Sequence, residues 1–499
     1  MPFRILLLLL LIPSLAICQP PSPRPHPTAQ TKLEYFLKLT DTLRLRARNP
    51  GMAMAIIDNN QLLYQGGLGY RNLDKQLPVT TNTLFEIGSC TKAFTGVVAA
   101  QLVQEKALAW DDKVVQHLPE FKLADPYATA NATLTDLLTH RVGVYQHYYL
   151  QYGPRFSRNE VLKMLPFLSF NGTFREKFIY NNLLYTAAGI LEERVTHTPW
   201  QDLVKTRIFA PLGMTQSFAT FEEFQRYGEN TVSYRNDGYT VIPPSSIDAA
   251  APAGAISSTL NDMTKWLTML VNKGTLDGKE FLTPRQFAHL TSPLTVRNAA
   301  EEIFYGIGWD IDARRNTIYH DGRTGGQSAR IVLAPQSGFG IVIMCNQQTE
   351  LQNLLTRYAT NIFLDNNYEK LADFEQYVID KNNPPAAAQA PKASLIQDPQ
   401  VLKKASRYVG TYSHPAYGTI TISKAPKNQL AFAYYDFKGP VKHNAGLSFT
   451  ALTTHFTGND TFDFRILEGP AQEVTGIEVQ FPYSQPLVFT KAATLVLPN

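Results

Sequence analysis

Ser89 and Lys92 stand three residues apart in Leu84-Phe85-Glu86-Ile87-Gly88-Ser89-Cys90-Thr91-Lys92-Ala93-Phe94, and helix formers follow through Gln101 and Leu102. A serine on the first turn of a helix with a lysine three residues on brings both side chains to one face. The hydroxyl and the amine then meet, which a serine nucleophile needs when histidine is not its base. The helix amino terminus adds N–H groups beside the nucleophile, where negative charge develops during acyl transfer. Its positive dipole end and low polarity lower the lysine pKa and favour a base. Taken alone, a Ser-x-x-Lys tetrad describes a capped surface helix equally well.

Two further elements supply company. Tyr180-Asn181-Asn182 precedes an apolar helical pattern running to about Glu193. On a loop, Tyr180 offers a phenol that relays a proton between nucleophile, lysine and leaving group. Asn182 offers an amide to an acyl side chain. The competing reading is a loop whose Asn caps the next helix. His320-Asp321-Gly322 comes third, ahead of apolar runs from Ala329 to Pro335 and Gly340 to Cys345. These runs, split by Gln336-Ser337-Gly338, read as a hairpin. Gly322 at a sheet edge would let a substrate approach the backbone. The N–H of Arg323 is a candidate second oxyanion donor beside that of Ser89.

In this order the three elements resemble the serine β-lactamase and penicillin-binding protein superfamily, in particular its class C β-lactamase, DD-peptidase and esterase branch. Connecting phrases are similar too: Gly67-Leu68-Gly69-Tyr70, Leu134-Thr135-Asp136-Leu137-Leu138-Thr139-His140, Ile208-Phe209-Ala210-Pro211-Leu212-Gly213-Met214 and Pro252-Ala253-Gly254-Ala255. The resemblance covers roughly Lys32 to Leu364. It implies an α+β fold, an α/β sandwich whose antiparallel sheet is flanked by helices, with an all-helical region beside it and the site between. It also implies that Ser89 is acylated, that Lys92 and Tyr180 share the proton work, and that Asn182, His320 and Gly322 meet substrate. The N–H groups of Ser89 and Arg323 would form the oxyanion hole. The expected reaction is hydrolysis of an amide or ester in a small molecule or peptide, without a cofactor or metal. β-Lactamase, DD-peptidase, D-aminopeptidase and esterase remain open, as does a penicilloyl-binding sensor that acylates without turnover.

No pattern like Glu-x-x-Leu-Asn is present, so Tyr180, Lys92 or the substrate must activate the deacylating water. A departure bears on substrate: Lys-Thr-Gly is replaced by His320-Asp321-Gly322. Histidine is mostly neutral at pH 7 and aspartate is negative. Arg323 and Arg330 are the candidates to compensate. Weak β-lactamase activity is expected, with better turnover of esters, amides or D-amino-acid peptides that lack a critical carboxylate.

The surrounding elements must position these groups. The chain has 499 residues, 44% hydrophobic, with a formal charge of +4. That excess is too small to imply nucleic acid. Residues 1–18 read as a signal peptide: Arg4, an apolar stretch too short to span a membrane, and Ala16-Ile17-Cys18 ahead of cleavage before Gln19. Lipidation at Cys18 is the less favoured alternative, because Ile17 is bulky for a lipobox. Export, secreted or periplasmic, is therefore expected. Cys90 and Cys345 are too few for a disulfide framework and read as buried thiols. Asn131-Ala132-Thr133 and Asn171-Gly172-Thr173 match glycosylation acceptors but are given no role, because the resemblance looks bacterial.

A Pro-rich leader (19–31) precedes the hydrolase domain (32–380), which opens on an amphipathic helix from Lys32 to Arg46. Met52 to Ile57 and Gln61 to Tyr64 flank Asp58-Asn59-Asn60 as a hairpin. A Pro/Ala linker (381–400) leads to an all-β domain (401–499) similar to the lipocalin-like module often appended to this family. Its strands are read from Tyr408 onward. Its aromatic set, Tyr434, Tyr435, Phe437, Phe449 and Phe456, is read as filling the core rather than lining a ligand cup. Nothing in the sequence indicates an oligomeric state.

Overall fold

The computed structural model describes residues 27–151, 156–383, 398–455, 458–482 and 484–492. The signal-peptide segment, most of the Pro-rich leader, most of the linker and Phe456 lie outside them.

The first helix, α1 (Ala29–Arg46), starts three residues before the expected Lys32, because the Thr28 hydroxyl caps the Thr31 N–H at 3.2 Å. Then follow β1 (Gly51–Asp58), β2 (Gln61–Asn72) and β3 (Leu77–Pro78), with the expected hairpin turn between the first two. Later in the chain come β4 (Thr295–Asn298), β5 (Ile303–Tyr305), β6 (Asp310–Asp312), β7 (Thr317–Arg323), β8 (Ser328–Ala334) and β9 (Phe339–Cys345). They form one sheet in the order β4-β5-β6-β7-β8-β9-β1-β2-β3, antiparallel at every pairing. The outer strands β4 to β6 were not legible in the sequence.

Both faces of the sheet are covered, which is why Met52-Ala53-Met54-Ala55-Ile56-Ile57 is apolar without alternation. Met52, Met54 and Ile56 face one side with Phe36 and Leu43 of α1 and with Leu351, Leu354 and Tyr358 of a late helix. Ala53, Ala55 and Ile57 face the other, where the main core lies. Small residues on that side let a helix at Leu260–Val271 approach. A Cβ at Gly340 would stand 2.5 Å from a Val271 methyl.

The helical region supplies α2 (Thr91–Gln104), α3 (Leu134–Leu138) and α4 (Asn182–Thr196). α2 is buried almost all round, and Phe94 stacks on Trp266 with ring centroids 3.8 Å apart. α3 is held by Asp136, whose buried carboxylate accepts from the Thr133 N–H and hydroxyl and pairs with Arg141 and Arg175. Those arginines hold the carboxyl below its ordinary range against the opposing cost of burial.

Beyond the sheet domain, residues 410–491 close an eight-stranded antiparallel barrel, its first and last strands joined through Tyr412↔Lys491 and Ser413↔Thr490. Two corrections apply here. Pro399–Tyr408 is a helix capped by Asp398, so the strand read from Tyr408 begins at Gly410. A strand at Phe437–Ala445, broken in pattern by Gly439-Pro440, was missed. Tyr434, Phe437 and Phe449 are buried in the barrel as expected, and Tyr435 is only half-buried. Cys90 and Cys345 are buried free thiols. Among the described residues, no helix is long and apolar enough to cross a membrane.

Candidate active site

A short strand, Leu84–Glu86, feeds a single 3-10 turn, Gly88–Cys90, which runs straight into α2. Ser89 is half-buried at that junction, and Lys92 is fully buried on the first turn of α2. The Lys92 amine lies 3.2 Å from Ser89 Oγ, 2.7 Å from Asn182 Oδ1 and 2.8 Å from the Ala253 carbonyl. Burial holds its pKa well below the usual lysine value, so it is neutral more readily than an ordinary lysine. A neutral amine has two N–H groups and one lone pair. The two carbonyl oxygens accept the two N–H groups, because neither can donate. The lone pair is left for the Ser89 hydroxyl. An amine so placed can take the proton of an attacking hydroxyl.

Tyr180 completes the contact. Its hydroxyl donates to Ser89 Oγ at 2.8 Å, and the Lys92 nitrogen lies 4.6 Å from the centre of its ring. Burial pushes the phenol above its ordinary pKa, so it is a proton donor here and not a phenolate. The next residue anchors the turn. The Asn181 N–H donates to His140 Nδ1 at 3.0 Å, its Oδ1 accepts from the Leu184 N–H, and its Nδ2 donates to the Tyr145 carbonyl at 2.7 Å. The helix-cap reading of Tyr-x-Asn thus holds for Asn181, while Asn182 takes Lys92. The Asn182 oxygen, expected to meet an acyl side chain, accepts from Lys92.

His320, Asp321, Gly322 and Arg323 lie on β7, a strand and not a loop. His320 is buried beside the site. Its Nδ1 lies 2.6 Å from the Asp321 carbonyl, which only accepts, so that nitrogen carries the proton. Its Nε2 then accepts from the Tyr305 hydroxyl at 3.0 Å. Burial, with Lys92 nearby, takes its pKa down to about 3. With both nitrogens engaged, His320 presents a neutral ring edge rather than a free hydrogen-bonding atom.

Asp321 points the other way along the pleat and pairs with Arg330 at 2.6 Å. Arg323 pairs with Glu350 at 2.5 Å. The expectation that Asp321 carries negative charge toward the substrate is therefore corrected: its charge is matched on the far face. Neither arginine side chain replaces the missing lysine.

The expected reason for Gly322 is corrected as well. A Cβ there would stand 1.8 Å from the Ile87 carbonyl oxygen and 3.2 Å from the Cys90 N–H. What approaches the Gly322 backbone is the turn that carries Ser89. Gly88, at φ +50°, has the Arg323 amide nitrogen 2.4 Å from where its Cβ would be. The Arg323 amide is thus a neighbour of the residue preceding Ser89. Gly322→Ala is expected to cost about 1–3 kcal/mol by overpacking. It should also lower kcat/KM by about 10²-fold, because β7 and the serine turn must part. Thermal melting and steady-state kinetics on one preparation check both numbers.

Three groups at this site were not assigned from sequence. His140, with φ +60°, stacks beside Tyr180 at 4.4 Å between ring centres and is held neutral by burial. The Ala253 carbonyl holds Lys92. Both fall in phrases noted as landmarks, which was the available signal. Tyr305, which fixes His320, sits on β5 and carried none.

Comparisons with known proteins give the family and the fold. The family model described as Beta-lactamase matches residues 36–362. Unguisins hydrolase ungD' of Aspergillus campestris is 27% identical over 418 residues, covering 77% of this chain and 76% of that protein. Protein flp of Staphylococcus aureus is 25% identical over 341 residues, 67% of each. The octameric penicillin-binding protein homologue from Pyrococcus abyssi superposes with a TM-score of 0.60 at 18% identity, over 92% of this chain and all of that one. It shares the fold.

Proposed function

From the premise that the chain belongs to the β-lactamase family, we propose that it is a serine hydrolase working through a Ser89 acyl-enzyme on amide or ester bonds. The observation that carries this reading is the three-way contact of Lys92, Ser89 and Tyr180. Lys92 takes the Ser89 proton as Oγ attacks the substrate carbonyl carbon. The N–H groups of Ser89 and Arg323 receive the oxyanion. The phenol of Tyr180, refilled from Lys92, passes that proton to the leaving nitrogen or oxygen as its bond to the acyl carbon breaks. Water then takes the leaving group's place and loses a proton along the same path. The acid forms, and Ser89 regains its hydrogen. Asn182 holds Lys92 in line, and His320 walls the acyl site beside it.

The substrate is a small molecule or peptide whose recognition does not turn on a carboxylate. The neutral His320 and the outward pairing of Arg323 and Arg330 support this. The enzyme acts outside the cytoplasm, as the signal-like Arg4-to-Cys18 segment suggests. Purified protein tested on p-nitrophenyl esters, D-amino-acid amides and nitrocefin should turn over an ester or amide well and nitrocefin poorly. Rapid nitrocefin hydrolysis would refute the substrate reading. A fluorescent penicillin label that persists, with no turnover across the panel, would replace the hydrolase by an acyl-binding sensor.

A further inference from the structure

The barrel is not an independent appendage. Tyr149, on a 3-10 turn of the hydrolase domain at Tyr148–Gln151, is 8% exposed. Its ring centre lies 5.3 Å from that of Phe462, 5.4 Å from Phe437 and 6.0 Å from Phe481. All three are buried barrel residues. Two residues earlier, the buried His147 places Nδ1 2.8 Å from the hydroxyl of Tyr417, which is itself buried in the barrel against Phe481. An aromatic socket that would suit a ligand is therefore occupied by a side chain of the same molecule.

The other end of this segment touches the site. Asn181, next to Tyr180, donates from Nδ2 to the Tyr145 carbonyl at 2.7 Å and lies 3.5 Å from that of Val144. The Tyr145 N–H donates in turn to the Ser169 carbonyl at 3.0 Å. One continuous run of seven residues, 144–150, thus connects the barrel to the support of the phenol.

We propose that the barrel clamps the wall of the active site, with Tyr149 and His147 as positioning residues that hold the Val144 and Tyr145 carbonyls where Asn181 binds them. Tyr180 then stays on Ser89. The inference rests on the reading of Ser89 as nucleophile and Tyr180 as its proton donor. It gives the barrel a part in catalysis without any ligand of its own. Removing the Tyr149 ring empties the socket and frees the segment. Chemistry slows while substrate contacts at β7 are untouched, so kcat should fall more than KM rises.

The test uses the full-length chain and measures how fast a fluorophosphonate probe labels Ser89, together with p-nitrophenyl ester kinetics. Tyr149→Ala is expected to slow labelling and kcat by about 10-fold or more. Tyr149→Phe, which keeps the ring, should lie between that variant and the wild type. Tyr417→Phe leaves the barrel ring in place, removes the partner of His147, and should slow labelling by roughly 3- to 10-fold. It decides the matter if Tyr149→Ala does not fold. In a Tyr180→Phe background, Tyr149→Ala should add little, because both act through the phenol. Wild-type labelling speed in both Tyr149→Ala and Tyr417→Phe would overturn the clamp alone, as would a full additional loss in the Tyr180→Phe background. An unlabelled wild type would overturn the nucleophile reading and the clamp with it.

Discussion

Lys92→Ala is expected to lower kcat/KM by about 10⁴-fold or more, and Ser89→Ala by a similar factor. The double variant should be scarcely worse than either single one, because base and nucleophile act as one unit. The argument is local. Ser89 Oγ has the Lys92 nitrogen at 3.2 Å and Tyr180 as a donor at 2.8 Å. Of the two, the amine is the base for the serine proton, since burial keeps the phenol protonated and a neutral phenol is a very weak base. Without it, serine attacks as a neutral alcohol. The substitution also takes Lys92 from the Ala253 carbonyl, and a buried group left unpaired costs about 1–3 kcal/mol. Melting curves are therefore needed beside the kinetics, and Lys92→Met, closer in volume, separates the two effects. In the wild type, activity should fall toward acid pH as Lys92 takes up a proton and loses its lone pair. A Lys92→Ala enzyme within tenfold of wild type would end the proposed mechanism.

Tyr180→Phe carries the second-largest expected effect, a loss of roughly 10²–10⁴-fold in kcat. The ring stays, so its packing on His140 at 4.4 Å and its place over Lys92 are kept. Only the hydroxyl that donates to Ser89 is lost. The loss should be larger for an amide than for a p-nitrophenyl ester. An amine leaving group needs a proton to depart, and p-nitrophenolate does not. Equal losses on the two substrates would assign Tyr180 to holding Ser89 rather than to proton delivery.

Much of this site was legible because its key pieces are short and local. Ser89 and Lys92 meet because residues three apart share one face of a helical turn. The hairpin of β8 and β9 was visible as two apolar runs around a turn. Strands β4 to β6 were not, because Thr295–Asn298, Ile303–Tyr305 and Asp310–Asp312 are short and partly polar. Their pairing partners, not their own residues, make them strands. Gly322 was noticed for the right position and the wrong neighbour. A glycine in a sequence announces close approach without saying to what.

The amino-acid order alone settled which groups were available for acyl transfer, which family they resembled, and that a sheet-and-helix domain is followed by an all-β one. The groups and the elements are read from spacing and periodicity within a few turns of chain, and the family from the resemblance of whole phrases. Tertiary structure decided where each group points: Asp321 away and matched by Arg330, the Lys92 amine into two carbonyl oxygens beside Ser89. It also decided that Tyr149 fills the barrel, more than 250 residues from the rings it touches. Contacts between groups so far apart in the chain depend on the packing of whole elements, which no local pattern encodes.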